Sequence, residues 1–429
     1  MDREQVSNPK PHVLVIPFII QGHINPMLQF SKFLALKSSL KITFILTSTT
    51  TKIAKIPNDK SIRIKFISDV PEEDIQEPNN NSPETFFKNF KPTVSKNLIE
   101  LINEEKDAKV IVYDSVMPWV LDIAHEKGLL GAAFFTHSCS VSALHYHLKQ
   151  GTLKHPFEPS SEISLPFMPS LDIKDFPSYP SDGIFMDPLK FHVDQFSNIE
   201  KVDWIFFNTF EKLETEIAKW MFSQWPIKTI GPTCLLPKTS TSQVQIEPNN
   251  KDCIKWLDSK DVGSVVYVSF GSLVSLKQEQ MEELGQGLIM SKCNFLWVVR
   301  AKEKIPQNFT SLASNKGLIV KWCPQVEVLS HRAIACFMTH CGWNSTLEAL
   351  SYGVPLIGMA QWSDQPTNCK FVWREEIVEC VKEIVHGEKG KVLGRNAQFW
   401  KNLAKEAVGH DGGTSIKNIQ DFTSQLLYK

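Results

Sequence analysis

The sequence predicts an α/β protein made of two domains with mostly parallel sheets, which face a ligand-binding cleft. The chain has 429 residues, more than one ordinary hydrophobic core accommodates, so two domains of roughly 200 residues each are expected. Segments typical of strands and of helices alternate through both halves, a pattern that favours parallel sheets covered by helices. A polar stretch without periodicity at 236–250 separates the halves. It is predicted to be the linker, and ligands usually bind between two such units.

The predicted domain boundaries follow from this linker. An N-terminal domain is expected at 1–235 and a C-terminal domain at 251–408. The remaining residues, 409–429, include an amphipathic segment from Gly412 onward that is predicted to form a short helix.

Short runs rich in β-branched and aromatic residues are predicted as strands, and segments with apolar residues three or four apart as helices. The predicted strands lie at 13–18, 41–47, 62–67, 110–113, 130–135, 204–208, 264–270, 295–299, 318–321, 335–339 and 354–359. The predicted helices include 24–37, 82–104 and 278–290. The stretch 156–188 is rich in Pro, Ser and Asp, and is predicted to be an irregular excursion near a binding cleft.

Composition and charge exclude several classes of protein. The formal net charge of -1 leaves no basic field to attract nucleic acid or anionic lipid. No apolar run is long enough to span a bilayer, and the polar first ten residues lack the apolar core of an export signal. The nine cysteines are scattered and include no Cys-x-x-Cys pair, which favours reduced thiols and a cytoplasmic location. A monomer is the default expectation.

The segment 322–365 carries the strongest functional signal. A predicted strand ends at Thr339, a tight turn follows over 340–342, and Asn344 and Ser345 are residue types that favour a helix N-terminus. A glycine turn that opens into a helix presents free N–H groups and the positive end of the helix dipole. The sequence therefore predicts an anion site that suits a diphosphate.

Neighbouring side chains extend this predicted site. His340, Asn344 and Ser345 can donate further hydrogen bonds. Glu348 lies one helical turn further along the same face, where a carboxylate can accept hydrogen bonds from ribose hydroxyls. Trp322 follows a predicted strand, a position from which an indole ring can stack on a base.

The same segment resembles, nearly position by position, the donor-binding signature of plant family 1 glycosyltransferases. The matching positions are Trp322, Pro324, Gln325, His331, His340, Cys341, Gly342, Trp343, Asn344, Ser345, Glu348, Gly353, Val354, Pro355, Asp364 and Gln365. The resemblance extends over most of the chain and includes 21–27 and 269–272. It implies the GT-B fold, in which two Rossmann-like domains face a cleft, and a tail at 409–429 that crosses back to the N-terminal domain.

The resemblance also implies UDP-glucose as the donor and gives roles to the matching residues. The implied contacts are Trp322, Cys323 and Gln325 with the uracil and ribose, Glu348 with the ribose hydroxyls, His340, Asn344, Ser345 and Ser272 with the diphosphate, and Thr136, Trp343, Asp364 and Gln365 with the glucose, while Gly22 and Gly342 complete the donor-binding set. Gln365 together with Trp343 resembles the glucose-selective members. A histidine at position 365 would have suggested galactose.

The sequence departs from the family pattern at four places. Ala360 stands where the family often has proline, and His137 stands where relatives often carry glutamine. The junction at 374–375 and the stretch 301–306 are shorter than in relatives. These departures leave the signature intact and bear on the shape of the acceptor cleft.

His23 and Asp114 are the candidate catalytic pair. His23 lies at the start of a predicted helix, where the positive dipole end favours the neutral imidazole that a base requires. Asp114 ends a neighbouring parallel strand, and the carboxyl ends of such strands gather at one edge of a sheet. The carboxylate would fix the imidazole tautomer and stabilise the imidazolium. The resemblance implies the same roles, with inversion from an α-linked donor to a β-glucoside.

The acceptor is expected to be a small lipophilic plant metabolite with a hydroxyl or carboxyl group, since the resemblance implies phenols, terpenoids, steroids or small acids. Candidate residues of the acceptor pocket are Phe18, Trp119, His137, Phe185 and Phe191. The sequence contains no Asp-x-Asp triplet, so a metal-bridged diphosphate is not expected. No cofactor is expected besides the co-substrate UDP-glucose.

Two other functions predict different sequences. An NAD-dependent oxidoreductase predicts Gly-x-Gly-x-x-Gly after the first strand, but residues 19–23 read Ile-Ile-Gln-Gly-His. A non-catalytic binder of nucleotide sugars predicts the loss of His23 or Asp114, and both are present.

Overall fold

The computed structural model of the protein describes residues 10–53, 61–71, 83–157, 162–179, 187–237, 252–300, 303, 305, 309, 316–372, 384–385, 387–409 and 412–428. It contains two α/β domains, each built on a parallel sheet, and so confirms the predicted fold class. Most of the predicted linker, from 238 to 250, lies outside the described residues. The two short stretches at 301–306 and 374–375 fall largely outside them as well. Among the helices described, none is long and apolar enough to cross a membrane.

The N-terminal domain is built on a seven-stranded parallel sheet. The strands of this half are β1 (His12–Ile16), β2 (Lys41–Thr47), β3 (Arg63–Ile67), β4 (Ala108–Asp114), β5 (Leu130–Phe135), the short antiparallel pair β6 (Glu162–Ile163) and β7 (Leu171–Asp172), β8 (Trp204–Phe207) and β9 (Ile227–Thr229). The order in the sheet is β3-β2-β1-β4-β5-β8-β9. The helices are Gln21–Lys37, Ser48–Ile53, Pro83–Glu104, Trp119–Glu126, Cys139–Lys149, Pro188–Val193 and Thr215–Gln224.

The C-terminal domain is built on a five-stranded parallel sheet. Its strands are β10 (Val265–Ser269), β11 (Asn294–Val298), β12 (Gly317–Val320), β13 (Ile334–Thr339) and β14 (Leu356–Gly358), in the order β12-β11-β10-β13-β14. The helices of this half are Asp252–Asp258, Gln278–Ser291, Gln325–Leu329, Trp343–Tyr352, Gln365–Val372, Glu388–Ala407 and Thr414–Tyr428.

Strands buried on both faces explain the continuous apolar runs of the sequence. In β1, Leu14 and Ile16 pack into the core on one face of the sheet, and Val13 and Val15 pack into the core on the other. This alternation is the two-residue period of a strand, and both faces are apolar because helices cover both. Such strands give no amphipathic signal, so their limits are set by turn residues instead.

The last helix belongs spatially to the first domain. In Thr414–Tyr428, the ring of Phe422 contacts Trp204 and Phe206 of β8, with ring centroids 5.2 Å and 5.0 Å apart. Ser415 Oγ also donates a hydrogen bond of 2.6 Å to the Gly231 carbonyl. The tail thus packs on the first sheet although it follows the second domain in sequence.

Both sheets have a point where the strand order reverses, and a crevice forms there at the carboxyl edge. In the first sheet this point lies between β1 and β4, and in the second between β10 and β13. The loops that follow these four strands therefore determine what the cleft contains.

Candidate functional site

A cavity of about 540 Å³ lies between the domains and is lined by the loops that follow the parallel strands of both sheets. This volume is in the ordinary range for a small-molecule site. The predicted donor-binding residues line it without exception: Gly22, Thr136, Ser272, Trp322, Cys323, Gln325, His340, Gly342, Trp343, Asn344, Ser345, Glu348, Asp364 and Gln365. The sequence places these residues far apart, and the two switch points bring them together.

The candidate catalytic pair forms a direct hydrogen bond. His23 Nδ1 lies 2.8 Å from Asp114 Oδ2. The carboxylate is fully buried and also accepts from the backbone N–H groups of Phe18, at 3.4 Å, and Val116, at 3.3 Å. Thr136 Oγ1 lies 3.1 Å from the same imidazole nitrogen.

This geometry fixes the tautomer of His23. A carboxylate only accepts hydrogen bonds, so the proton of the neutral ring resides on Nδ1 and leaves Nε2 with a free lone pair. The His23 side chain lines the cleft and is 14% exposed. The pair therefore presents a base to the cleft, with a buried charge behind it.

The helix Gln21–Lys37 begins three residues before the predicted start, so His23 lies in its first turn. The N–H group of residue 23 donates to the Ile20 carbonyl at 2.8 Å. The helix also contains Pro26, which has no N–H group for the carbonyl four residues earlier, that of Gly22. The Asn344 side chain of the other domain donates to this free carbonyl. The two domains thus meet where the predicted catalytic segment and the predicted donor-binding segment lie side by side.

Two glycines enclose His340 at the predicted anion site. A Cβ atom on Gly271 would lie 2.8 Å from His340 Nε2, and one on Gly342 would lie 2.5 Å from it. Gly271 also has a φ of +74°, a conformation that side chains disfavour. Burial, with a smaller contribution from Arg300, lowers the pKa of His340 to about 4. The ring is therefore neutral near pH 7 and offers one N–H donor.

The helix Trp343–Tyr352 begins directly after this turn. Gly342 precedes its first residue and has no side chain to cap the helix, so the first N–H groups remain available to an anion. Cys341 has a φ of +63°, which makes the turn tight enough to bring the helix N-terminus to the end of β13. The sharp turn and the uncapped helix have the geometry that an anion site requires, and anion binding there stays a prediction.

A hydrogen-bonded network lies where the ribose is expected. Gln325 Nε2 donates to Ser345 Oγ at 3.0 Å and to Glu348 Oε2 at 2.8 Å. Tyr267 OH donates to Gln325 Oε1 at 3.1 Å and lies 3.3 Å from Cys323 Sγ. Burial raises the pKa of Cys323 to about 12, so its thiol stays protonated. The network holds the Glu348 carboxylate at the cleft wall beside the partly exposed Trp322.

Neighbouring groups orient the residues expected at the sugar. Asp364 Oδ2 accepts from Asn368 Nδ2 at 2.7 Å. Gln365 Oε1 accepts from the backbone N–H groups of residues 361 and 362, at 3.0 Å and 3.2 Å. Trp343 Nε1 donates to the Asn208 carbonyl at 2.8 Å. These bonds fix the side chains before any ligand enters, which lowers the cost of binding.

The candidate acceptor residues have three different outcomes. Phe18, His137 and Phe191 line the cleft, and the rings of Phe18 and Phe191 are 5.3 Å apart. Trp119 does not line it; its ring packs edge-on against Phe90, 6.4 Å away, within the apolar core. The predicted acceptor contact of Trp119 is therefore not supported by its position. Phe185 lies outside the described residues.

Sequence reasoning missed Arg300, which follows β11 and lines the cleft. Its guanidinium donates to the carbonyls of Ser272 and Val274, and to Ser275 Oγ at 2.9 Å. It thereby shapes the loop that contributes the predicted diphosphate contact Ser272. Arg300 could have been identified from the sequence as a positively charged residue shortly after a predicted strand of the C-terminal domain.

One further cluster has metal-ligand chemistry. Among the described residues, His12, Glu105 and Asp107 have ligand atoms close together. They lie at the amino-terminal edge of the first sheet, opposite the cleft. Lys41 and Arg63 form ion pairs with these carboxylates, so the cluster is already neutralised and does not resemble a metal site.

This fold and this cleft define a glycosyltransferase of the GT-B class that uses a nucleotide sugar. Comparisons with known proteins give the family. The family model described as "UDP-glucoronosyl and UDP-glucosyl transferase" matches residues 188–379. "UDP glycosyltransferase 9" of Catharanthus roseus is 46% identical, over 99% of this chain and 98% of that protein. "Mogroside I-E synthase" of Siraitia grosvenorii is 42% identical, over 96% and 97% of the two chains.

Solved structures agree with these relatives. "Os79" of O. sativa, in complex with UDP, superposes with a TM-score of 0.85 and is 31% identical, over 96% of this chain and all of that one. "UGT2" of Phytolacca americana, complexed with UDP-2-fluoro-glucose and pterostilbene, superposes with a TM-score of 0.82 at 26% identity, over 97% and 99% of the chains. The chain belongs to the plant family 1 UDP-glycosyltransferases, enzymes that transfer a sugar to small plant metabolites.

Proposed function

We propose that the protein is an inverting glucosyltransferase that moves glucose from UDP-glucose to a hydroxyl or carboxyl group of a small lipophilic plant metabolite. The acceptor is a phenol, terpenoid, steroid or small acid, and the product is a β-glucoside or a glucose ester. The 2.8 Å hydrogen bond between His23 and the buried Asp114, at a cleft whose other wall carries the glycine turn, is the observation that carries this proposal.

The two walls of the cleft divide the chemistry. On the first domain, His23 Nε2 removes the proton of the acceptor hydroxyl while the oxygen attacks the anomeric carbon from the face opposite UDP. The imidazolium that forms is stabilised by the Asp114 carboxylate. On the second domain, the N-terminus of the helix Trp343–Tyr352 and the neutral ring of His340 donate to the leaving diphosphate. Inversion follows because a single displacement occurs at the anomeric carbon.

Residues at the sugar end support glucose as the transferred group. Asp364 and Gln365 line the cleft as hydrogen-bonding groups whose orientation is fixed by their neighbours. A carboxylate and a primary amide together offer acceptors and donors to the sugar hydroxyls. Gln365 together with Trp343 is the pair that resembles the glucose-selective members of the family, and both residues line the cleft.

We also propose that transfer needs no metal ion and no cofactor, and that the enzyme acts as a monomer in the cytoplasm. The donor wall carries groups that can stabilise negative charge without a metal ion, namely the N-terminus of the helix Trp343–Tyr352 and the cations Arg300 and Lys321. The eight described cysteines are all free and buried, as expected in a reducing compartment.

The experiment that tests this proposal measures UDP release and glucoside formation from UDP-glucose with a panel of phenols, terpenoids, steroids and acids, in the presence of EDTA. We expect transfer to at least one acceptor, and an NMR coupling constant that identifies the β-anomer. UDP-galactose in place of UDP-glucose is expected to react at least ten-fold more slowly. The His23→Ala variant separates catalysis from binding, since UDP binding should persist.

Three results would contradict the proposal. A product with the α-configuration would exclude a single displacement. Full activity of His23→Ala on a hydroxyl acceptor would exclude the general base. Loss of activity in EDTA that Mg²⁺ restores would exclude a metal-independent mechanism.

A further inference from the structure

A cluster of three histidines lies behind the catalytic base. The ring of His137 is 5.8 Å from that of His23 and 5.1 Å from that of His192. His145 lies 5.4 Å from His192, and its Nε2 forms a 2.7 Å hydrogen bond with Tyr179 OH. Of these residues, His137 and His192 line the cleft. The cluster is therefore a polar region within an otherwise aromatic part of the cleft.

One nitrogen of this cluster has no hydrogen-bond partner in the part of the chain that the structure describes. The side chain of His137 is 6% exposed, and its Nδ1 atom is buried without a hydrogen bond among the described residues. An unsatisfied buried polar atom costs free energy. Because the ring lines the cleft, a rotation that brings this nitrogen to the cleft surface would let a ligand oxygen form the missing hydrogen bond. Since His137 lines the cleft next to the catalytic base, the molecule best placed to supply that oxygen is the acceptor itself.

The charges around His137 determine which kind of oxygen fits. Burial lowers the pKa of His137, lowers that of His192 well below its usual value, and lowers that of His145 to about 3. The rings are therefore neutral near pH 7. The charged groups that act on His137 are the Asp364 carboxylate, the imidazole of His23 and the Asp114 carboxylate, in that order of size.

The cations of the cleft lie elsewhere. Among the described lining residues, Arg300 and Lys321 are the cations, and both belong to the donor wall. An anionic group on the acceptor would lie near the carboxylates of Asp364 and Asp114, while the side chains of Arg300 and Lys321 belong to the donor wall. A hydroxyl, phenol or carbonyl group would meet neutral rings that can donate or accept.

We propose that His137, supported by His192, forms a specificity subsite for a second, uncharged oxygen of the acceptor. The acceptor is thus a neutral molecule with two oxygen groups, of which one reacts at His23 and the other binds His137. This inference rests on the proposed function and narrows its range of acceptors, since it disfavours small acids.

Three probes with one carbon skeleton test the subsite: 2-naphthol, 2,3-dihydroxynaphthalene and 3-hydroxy-2-naphthoate. In the wild-type enzyme, kcat/KM for the diol should exceed that for 2-naphthol by on the order of ten-fold, the effect of one satisfied buried hydrogen bond. Two equivalent hydroxyls account for a factor of only about two. The carboxylate probe should be the poorest of the three.

The variant His137→Leu removes the ring nitrogens. Its ratio of kcat/KM for the diol to kcat/KM for 2-naphthol should fall to about two, and the fall should come from a higher KM for the diol. His137→Gln keeps a donor and an acceptor and should restore most of the preference. A matched control is His147→Leu, because His147 Nδ1 is also buried without a hydrogen-bond partner among the described residues. The His147 ring stacks on Trp220, 5.2 Å away, outside the cleft. This control should retain the wild-type ratio.

Binding separates this inference from the proposed function. Calorimetric titration of the UDP-loaded protein with the three probes should give the same order of affinities, even where no transfer occurs. If the three probes bind with the expected order of affinities but no glucosyl transfer occurs, the proposed function is refuted and the subsite is supported. Equal affinities, a preference for the carboxylate, no binding of any probe, or an unchanged ratio in His137→Leu would overturn the subsite.

Discussion

Replacing Asp114 by asparagine tests the catalytic pair with little change in shape. The asparagine amide can donate a hydrogen bond to His23 Nδ1, which favours the tautomer with the proton on Nε2. In that tautomer Nε2 cannot accept the proton of the acceptor hydroxyl. The variant also removes the charge that stabilises the imidazolium. We expect kcat/KM for a hydroxyl acceptor to fall strongly, while the affinity for UDP stays unchanged because Asp114 does not line the cleft.

The expected magnitude follows from the geometry. Two unit charges at the observed 2.8 Å attract each other by roughly 6 kcal/mol at an effective dielectric constant of about 20. The retained amide hydrogen bond and the desolvation of the carboxylate offset part of this attraction. A net loss of about 4 kcal/mol of transition-state stabilisation corresponds to a decrease in kcat/KM of about 10³-fold.

The same sheet contains a matched control. At its opposite edge, His12 Nδ1 forms a 2.9 Å hydrogen bond with Asp107 Oδ1. Asp107→Asn makes the same chemical change in a second histidine–aspartate pair, so it should lower thermal stability and leave kcat/KM unchanged. Liquid chromatography measures glucoside formation with each acceptor, and calorimetry measures the affinity for UDP.

The reasoning would be refuted if Asp114→Asn kept more than a tenth of the wild-type kcat/KM on a hydroxyl acceptor while it bound UDP normally. An acceptor that reacts through a carboxylate is already ionised. The penalty of Asp114→Asn should therefore be smaller for a carboxylate than for a hydroxyl of the same skeleton, and an equal penalty would show that Asp114 does not act through the base.

Three further changes have definite expected results. Gly342→Ala places a methyl group 2.5 Å from His340 Nε2, so the Kd for UDP, measured by calorimetry, should rise about ten- to hundred-fold; an unchanged Kd would contradict the packing at the turn. Pro26→Ala restores an N–H group that competes with Asn344 for the Gly22 carbonyl. The change in the small-angle scattering curve on UDP binding should therefore differ from that of the wild type. Identical curves would show that the Asn344 contact is dispensable. The folded-state pKa of His145 is about 3, below the usual 6.5, so the unfolded chain binds more protons in that interval and the melting temperature should fall as pH decreases from 6.5 to 3. A melting temperature that rises on acidification would show that His145 is not buried in its neutral form.

The sequence predicts the fold well where signals are local. Alternating strand and helix segments predict the α/β class. The run before Thr339 predicts the turn and the helix that follows it, because turn chemistry is a property of neighbouring residues. The predicted start of the helix at residue 24 is wrong by three residues. That helix begins without a side-chain cap, so no capping residue marks its start.

The parts that could not be predicted depend on residues that are distant in sequence. The 2.8 Å contact of His23 with Asp114 joins residues 91 positions apart, and only the neighbouring positions of β1 and β4 in the sheet create it. Trp119 is of a residue type that suits an acceptor pocket, yet its ring packs against Phe90. The buried His137 nitrogen, which has no hydrogen-bond partner among the residues described, results from three-dimensional packing and leaves no pattern in the sequence.

The central claim is that the glycine turn after Thr339 holds the diphosphate so that the sugar carbon faces His23. A crystal structure with a non-transferable UDP-sugar analogue tests it most directly. We expect the diphosphate at the first N–H groups of the helix Trp343–Tyr352 and the anomeric carbon on the side of His23 Nε2. Uridine diphosphate bound elsewhere in the cleft, or a His23 ring turned away from the sugar, would contradict it.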